Sequence, residues 1–311
     1  MFDLITIGRC GVDVYPLQTG VGLAQVESFG KFLGGSPTNV AVAAARHGLR
    51  AAVITATGDD PFGAYVHQAI HDFGVDNRFV TKFQEAPTPV TFCEIFPPDH
   101  FPIYFYRGEH PPDLRITPES LDLDAIRQAG VFWFSATGLS REPSRAAHLA
   151  ALTARTSGWT VFDLDYRPAL WPEPAEPHVR QALAHANVAV GNLDEVEVAT
   201  GTRDPEKAAQ ALLDAGAEVA IVKMGPEGVF ARSRTDIAHA EPVEVEVVNG
   251  IGAGDAFGGA ICLGLRRGWR LERTVRFANA AGAFVAARLA CADAMPTTDE
   301  VTELMEGGAR S

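Results

Sequence analysis

The chain is predicted to fold as an α/β protein with a mostly parallel sheet, helices on both faces and a second, small β-sheet. Three observations predict this. Short apolar, β-rich segments alternate with helical ones for most of the length. Two regions, 12–33 and 89–107, break that rhythm with strands that have no helix between them. The last third is helical.

Taken in order, Met1 to Gly8 reads as a first strand. After the 12–33 region, Gly34 and Gly35 close a strand, Ser36 can cap a following helix at 38–47, and Pro37 fits its first turn. A strand at 51–56 and a helix at 62–73 come next. In 89–107, Thr91, Cys93 and Ile95 alternate with Phe92, Glu94 and Phe96, and 103–106 follows a proline-rich turn. Strands without crossovers do not join a parallel sheet easily, so the two irregular regions are expected to build the small sheet together. The alternation resumes with helices at 118–129, 143–156, 195–200 and 205–215, and strands at 131–135, 160–164, 188–190 and 219–222. Pro172, Pro174 and Pro177 mark a loop. A β-branched run at Val243, Val245, Val247 and Val248 leads into a glycine-rich turn, and helices are expected at 255–267, 271–289 and 299–306.

A chain of 311 residues, 47% of them hydrophobic, supports one large domain with a small appendage. Its formal charge of −13 repels nucleic acid and anionic membranes. Anionic ligands must then be held by backbone amides and a few placed arginines. Cys10, Cys93, Cys262 and Cys291 are far apart and form no C-x-x-C pair, which predicts reduced, buried thiols and a cytoplasmic protein. The first residues lack a basic leader, and no apolar run reaches the ~18 residues that span a membrane. His67 and His71 stand four apart but without the glutamate of a zinc helix, and are expected on a solvated face.

The most informative stretch is Asn249-Gly250-Ile251-Gly252-Ala253-Gly254-Asp255. Amides at a helix start attract an anion, and glycines let the backbone approach it closely. A carboxylate in such a place suits a base beside a moving phosphoryl group. A plain turn capped by Asp255 is the simpler alternative. A dinucleotide fingerprint is disfavoured because Asp255 stands at its third glycine position, and neither a P-loop nor a His-Arg-Asp triplet occurs. Gly34, Gly35 and Asn39 expose donors suited to a polyhydroxylated ligand, while Asp13 follows the first strand as an acceptor or a turn carboxylate. Asn192 and Glu195 share one face of a helical turn, as a cap and its N3 acid or as a site for hydrated Mg²⁺. Lys223, Gly225 and Gly228 form a turn after a strand, either a hairpin or a phosphate contact. Asn279 lies on a helix among small residues.

These stretches resemble the two signatures of the ribokinase-like (PfkB) carbohydrate kinases: Gly34-Gly35 with Asn39, and Gly252-Ala253-Gly254-Asp255. The resemblance implies a ribokinase-like three-layer α/β/α sandwich of one domain over 1–311, with lid strands from about 12–33 and 89–107. It implies a catalytic base at Asp255, an anion hole from Gly252, Ala253 and Gly254, and sugar contacts from Asp13, Gly34, Gly35 and Asn39. It also implies ATP contacts from Asn192, Lys223, Gly225, Gly228 and Asn279, and Mg²⁺ through Glu195. Asn249-Gly250 replaces the family's Asp-Thr, which argues against a tightly bound monovalent cation. Three segments, 8–16, 163–171 and 288–297, resemble the branch that phosphorylates 5-dehydro-2-deoxygluconate in myo-inositol breakdown. Relatives acting on 2-keto-3-deoxygluconate, neutral-sugar kinases such as fructokinase, and a silent sugar or nucleotide sensor are the alternatives. For an acidic substrate, Arg107 and Arg167 are expected to meet at the mouth of the sheet, since a guanidinium binds a carboxylate by two parallel hydrogen bonds. The partners implied are a sugar acid, ATP and a second copy of the chain, in a dimer through the lid.

Overall fold

The computed structural model describes residues 1–308. Seven strands form a parallel array: β1 (Leu4–Ile7), β4 (Ala51–Gly58), β5 (Val80–Phe83), β8 (Val131–Ser135), β9 (Trp159–Asp163), β10 (Val188–Asn192) and β11 (Val219–Lys223). β12 (Val229–Ser233) and β13 (Ile237–Ala240) extend one edge antiparallel. The order is β13-β12-β11-β10-β9-β8-β1-β4-β5. Strands buried on both faces need apolar residues on both, which explains runs such as Val131-Phe132-Trp133-Phe134. Leu4, Val53, Val131, Trp133 and Val188 pack on one side with α1 (Ser36–Arg46), α8 (Ala253–Arg267) and α9 (Leu271–Ala286). Ile5, Ile54, Phe132, Phe134 and Phe162 pack on the other with α4 (Ser144–Ala154), α6 (Leu193–Thr200) and α7 (Pro205–Asp214). The remaining α-helices among the described residues are α2 (Pro61–Asp72), α3 (Leu123–Gln128), α5 (Glu176–Leu183) and α10 (Thr298–Gly308). The result is helices, sheet, helices.

The small sheet has the order β3-β2-β6-β7, from β2 (Gly11–Pro16), β3 (Phe29–Gly34), β6 (Val90–Cys93) and β7 (Ile103–Tyr106). It draws on the two regions without crossover helices. All four cysteines are free and buried. Among the described residues no helix is long and apolar enough to cross a membrane, and no group of three His, Cys, Asp or Glu is placed to hold a metal.

Several expectations need correction. The helix expected at 118–129 splits into a 3₁₀ turn at Pro118–Ser120 and a short helix at Leu123–Gln128, because the Asp122 carboxylate accepts from Ala125 N (2.9 Å) and starts a new helix. The proline loop around 172–177 runs into a helix at Glu176–Leu183, whose first turn tolerates Pro177. Gly35, at φ +99°, precedes the first residue of α1, so Ser36 lies inside the helix rather than capping it. The 243–248 run is not a strand. Val248 N and Asn249 N donate to the carbonyl of Ala286 at the end of α9, so the segment is tied to a helix instead of a ladder.

Candidate active site

The carboxyl ends of β1, β9, β10 and β11 open toward the small sheet, where ligands of open α/β sheets bind. A cavity of about 620 Å³ lies there. It is lined from far-apart parts of the chain: Arg9 after β1, Asp13 on β2, Gly35 and Asn39 at α1, Arg167 after β9, Asn192 and Glu195 at α6, Lys223 at the end of β11, and the Gly250–Asp255 loop.

That loop turns at Gly252, whose φ of +89° suits glycine. A Cβ there would also come within 2.5 Å of Cys291 Sγ. Gly252 and Gly254 line the cavity at the first turn of α8, where backbone N–H groups have no helical partner. Ala253 does not line it, and its N–H turns back to Gly250 O at 3.4 Å. The Asn249 amide clamps the loop, donating to Leu289 O (2.7 Å) and accepting from Ile251 N (3.1 Å).

Asp255 sits in that first turn and accepts from Asn39 Nδ2 at 2.9 Å. Burial pushes its carboxyl above the usual range and Asp165 adds to this, whereas hydrogen bonds from Ser36 and Asn39 and the charge of Arg9 oppose it. Asp13 accepts from the Tyr15 hydroxyl at 2.8 Å and is raised by burial to about 6. Gly34 does not line the cavity. It makes room for Asp13, because a Cβ there would fall 2.1 Å from Asp13 Oδ1.

Asn192 and Glu195 form a complete capping box: Asn192 Oδ1 accepts from Glu195 N (2.9 Å) and Glu195 Oε2 accepts from Asn192 N (2.7 Å). Lys223 pairs in register with Asn192 across the β10–β11 ladder, which brings its Nζ to 3.9 Å from Glu195 Oε2. Burial disfavours the Lys223 charge, but Glu195, Asp163, Asp165 and Asp255 outweigh burial and raise its pKa. Gly225 lines the cavity. Gly228 belongs to the β11–β12 hairpin, packed so closely that a Cβ would fall 2.1 Å from Ala240 O. Asn279 is likewise outside the cavity lining, and its amide donates to Glu241 O at 2.7 Å.

The two arginines expected to meet do not. Arg167 lines the cavity, with its Nε 3.0 Å from Asp165 Oδ1. Arg107 follows β7 and turns away to Asp113, with Nη2 2.7 Å from Oδ2 and both side chains buried. A buried carboxylate needs a nearby cation, and Asp113 takes the one that the sequence offered to the ligand. Arg107 lines a neighbouring hollow instead. The second guanidinium at the main cavity is Arg9, joined to Asp165 at 2.8 Å. Sequence reading missed it, although an arginine at the carboxyl end of a buried strand was a usable signal.

The chain matches the pfkB family carbohydrate kinases over residues 1–298. It belongs to that family. As a pfkB kinase it is similar to 5-dehydro-2-deoxygluconokinase of Listeria monocytogenes serotype 4b (strain CLIP80459), with 33% identity over 98% of this chain and 96% of the relative. It is also similar to the enzyme of that name from Shouchella clausii (strain KSM-K16), with 31% identity over 98% and 96%. Among solved structures, fructokinase with bound ATP from Xylella fastidiosa superposes with a TM-score of 0.86 at 23% identity, covering 99% of this chain and 100% of that one. Aminoimidazole riboside kinase from Salmonella enterica, complexed with aminoimidazole riboside and an ATP analog, superposes with a TM-score of 0.81 at 26% identity, covering 97% and 99%. The chain is thus a carbohydrate kinase of ribokinase-like fold, with a mostly parallel sheet and a smaller second sheet.

Proposed function

We propose that this kinase transfers the γ-phosphoryl group of ATP to the primary hydroxyl of a sugar acid, with 5-dehydro-2-deoxy-D-gluconate converted to its 6-phosphate. The observation that carries the chemistry is a carboxylate in the first turn of α8, beside glycine amides and held by Asn39 at 2.9 Å. Asp255 takes the proton of the hydroxyl, the hydroxyl oxygen forms a bond to the γ-phosphorus, and the bond to ADP breaks. Amides of Gly252 and Gly254 stabilise the charge that develops on the phosphoryl oxygens. Lys223 adds a buried cation at the nucleotide end, beside Gly225. Asp13, Asn39 and Gly35 face the sugar hydroxyls.

The donor set fits hydrated Mg²⁺. Glu195 borders the cavity with one oxygen in the capping box, and Asn192 stands beside it. Bound there with ATP, Mg²⁺ would neutralise phosphate charge. No monovalent cation is assigned, since both ends of the Asn249 amide are committed to the loop. The small sheet is read as a lid. Its outer residues Phe29, Tyr104 and Tyr106 are exposed, which suits contact with a second copy.

The acidic substrate rests on the relatives' names and on Arg167 at the cavity. The test is a panel of sugar acids and neutral ketoses assayed for ATP-dependent phosphorylation. A sugar acid is expected to have the highest kcat/KM. Preference for a neutral ketose over every acid would overturn the reading.

A further inference from the structure

Arg9 is nearly buried, with 11% of its side chain exposed, yet it borders the cavity. A guanidinium has five donors. Among the described residues, the one side-chain acceptor that Arg9 bonds is Asp165 Oδ2 at 2.8 Å, and its Nε is buried without a partner. The fold therefore spends little protein oxygen on a group that demands much. Asp165 uses its other oxygen on Arg167, 3.0 Å away, and receives the Thr137 hydroxyl at 3.3 Å. One carboxylate thus pairs with two guanidinia, hydrogen-bonding Arg9 alone, and neither has a second ion pair among the described residues.

Their location points to the sugar rather than the nucleotide. The Phe105 ring of β7 lies 5.7 Å from the Arg9 guanidinium and lines the same cavity from the small-sheet side. Lys223, beside Glu195 and Gly225, serves the other part. Asp255 and Asp13 also bear on the Arg9 charge, but neither bonds it, so donors of the guanidinium are left over at the cavity. A planar fork matches a carboxylate better than a hydroxyl.

We propose that Arg9, oriented by Asp165, reads the carboxylate of the substrate together with Arg167 and so sets the preference for a sugar acid over a neutral sugar. This rests on the sugar-acid reading above. The experiment compares 5-dehydro-2-deoxygluconate with its carboxamide, which has the same shape but no charge, in the parent enzyme, Arg9→Gln and Arg9→Lys. Melting curves accompany the kinetics. The parent is expected to favour the acid by at least ~10-fold. Arg9→Gln should lose ~10–100-fold in kcat/KM on the acid, chiefly through KM, and under ~3-fold on the amide, so the preference collapses. Arg9→Lys should fall between, because it keeps the charge and loses the fork; if Arg9→Gln does not fold, the same ratio is read in Arg9→Lys. A preserved acid-to-amide ratio, or equal losses on both substrates, would remove Arg9 from this role while leaving the sugar-acid reading in place. A parent enzyme that does not discriminate would sink both.

Discussion

At the start of α8 the cavity is made of backbone; around Asp165 it is made of side chains. The α8 wall depends on Gly252 at φ +89°, with Cys291 packed where a Cβ would go, and on neighbouring amides in chain order. The Asp165 wall depends on charges brought together from 156 residues apart in the case of Arg9. Its two acids divide the roles. Burial pushes Asp163 well above the usual carboxylate range, with Asp165, Glu195 and Asp255 adding to this and Lys223 opposing it. Asp165 is equally buried, yet Arg9 and Arg167 hold it well below the usual range and it stays charged. A backbone wall can carry fixed dipoles for a reaction that every substrate shares. A side-chain wall can be retuned for one substrate by changing a few residues.

The sharpest way to break this comparison is at the α8 wall. Asp255→Asn is expected to reduce kcat by ~10²–10⁴-fold on acid and neutral substrates alike. In the parent, activity should fall as pH drops through the raised pKa of Asp255, so the acid limb lies above the ordinary carboxylate value of about 4. The stability sign is the reverse. A carboxyl with a raised folded pKa contributes stability below its unfolded value and loses it as pH rises through the folded one. Asparagine escapes that loss, so the melting temperature of Asp255→Asn at neutral pH should stay near the parent's or exceed it. Near-normal turnover in this variant would remove Asp255 as the base.

A smaller effect is expected where the two walls meet the nucleotide. Glu195→Gln keeps the capping box, because glutamine can also accept at N3, but removes the charge offered to a hydrated cation. The Mg²⁺ concentration for half-maximal rate should rise by ~10-fold, with the melting temperature little changed. A large fall in melting temperature with unaltered Mg²⁺ dependence would show that Glu195 is a cap and nothing more.

The same contrast explains what could be read from the sequence. The central strands were legible because burial on both faces forces continuous apolar runs, as in Val131–Ser135. The small-sheet segments showed through their missing crossover helices. β12 and β13 were not recovered, since an edge pair with the exposed Ile237 and the polar Arg232 and Ser233 lacks that signature. The Gly252–Asp255 stretch was visible because a backbone site is contiguous. Arg107 looked suitable on a strand that faces the ligand, but its partner was fixed by Asp113, whose burial is a tertiary fact. Arg9 was passed over for the complementary reason, as its pairing with Asp165, 156 residues away, is a tertiary fact too.

Arg107 offers the finest test, because it is expected to matter for stability and not for the substrate. Arg107→Ala strands Asp113 as a lone buried carboxylate, and breaking such a pair costs about 3–5 kcal/mol. Replacing both, as Arg107→Met with Asp113→Leu, removes the charge and its counter-charge together and should recover most of that loss. Among the described residues the Arg107–Asp113 pair shares no hydrogen bond or ion pair with the Arg9–Asp165–Arg167 group. The double variant should therefore keep kcat/KM within ~3-fold of the parent and leave the acid-to-amide preference unchanged. The measurement is a denaturant melt of all three proteins alongside the substrate pair. If the double variant regains stability yet loses discrimination, Arg107 reaches the ligand after all, and the division between a structural and a substrate-reading arginine is wrong.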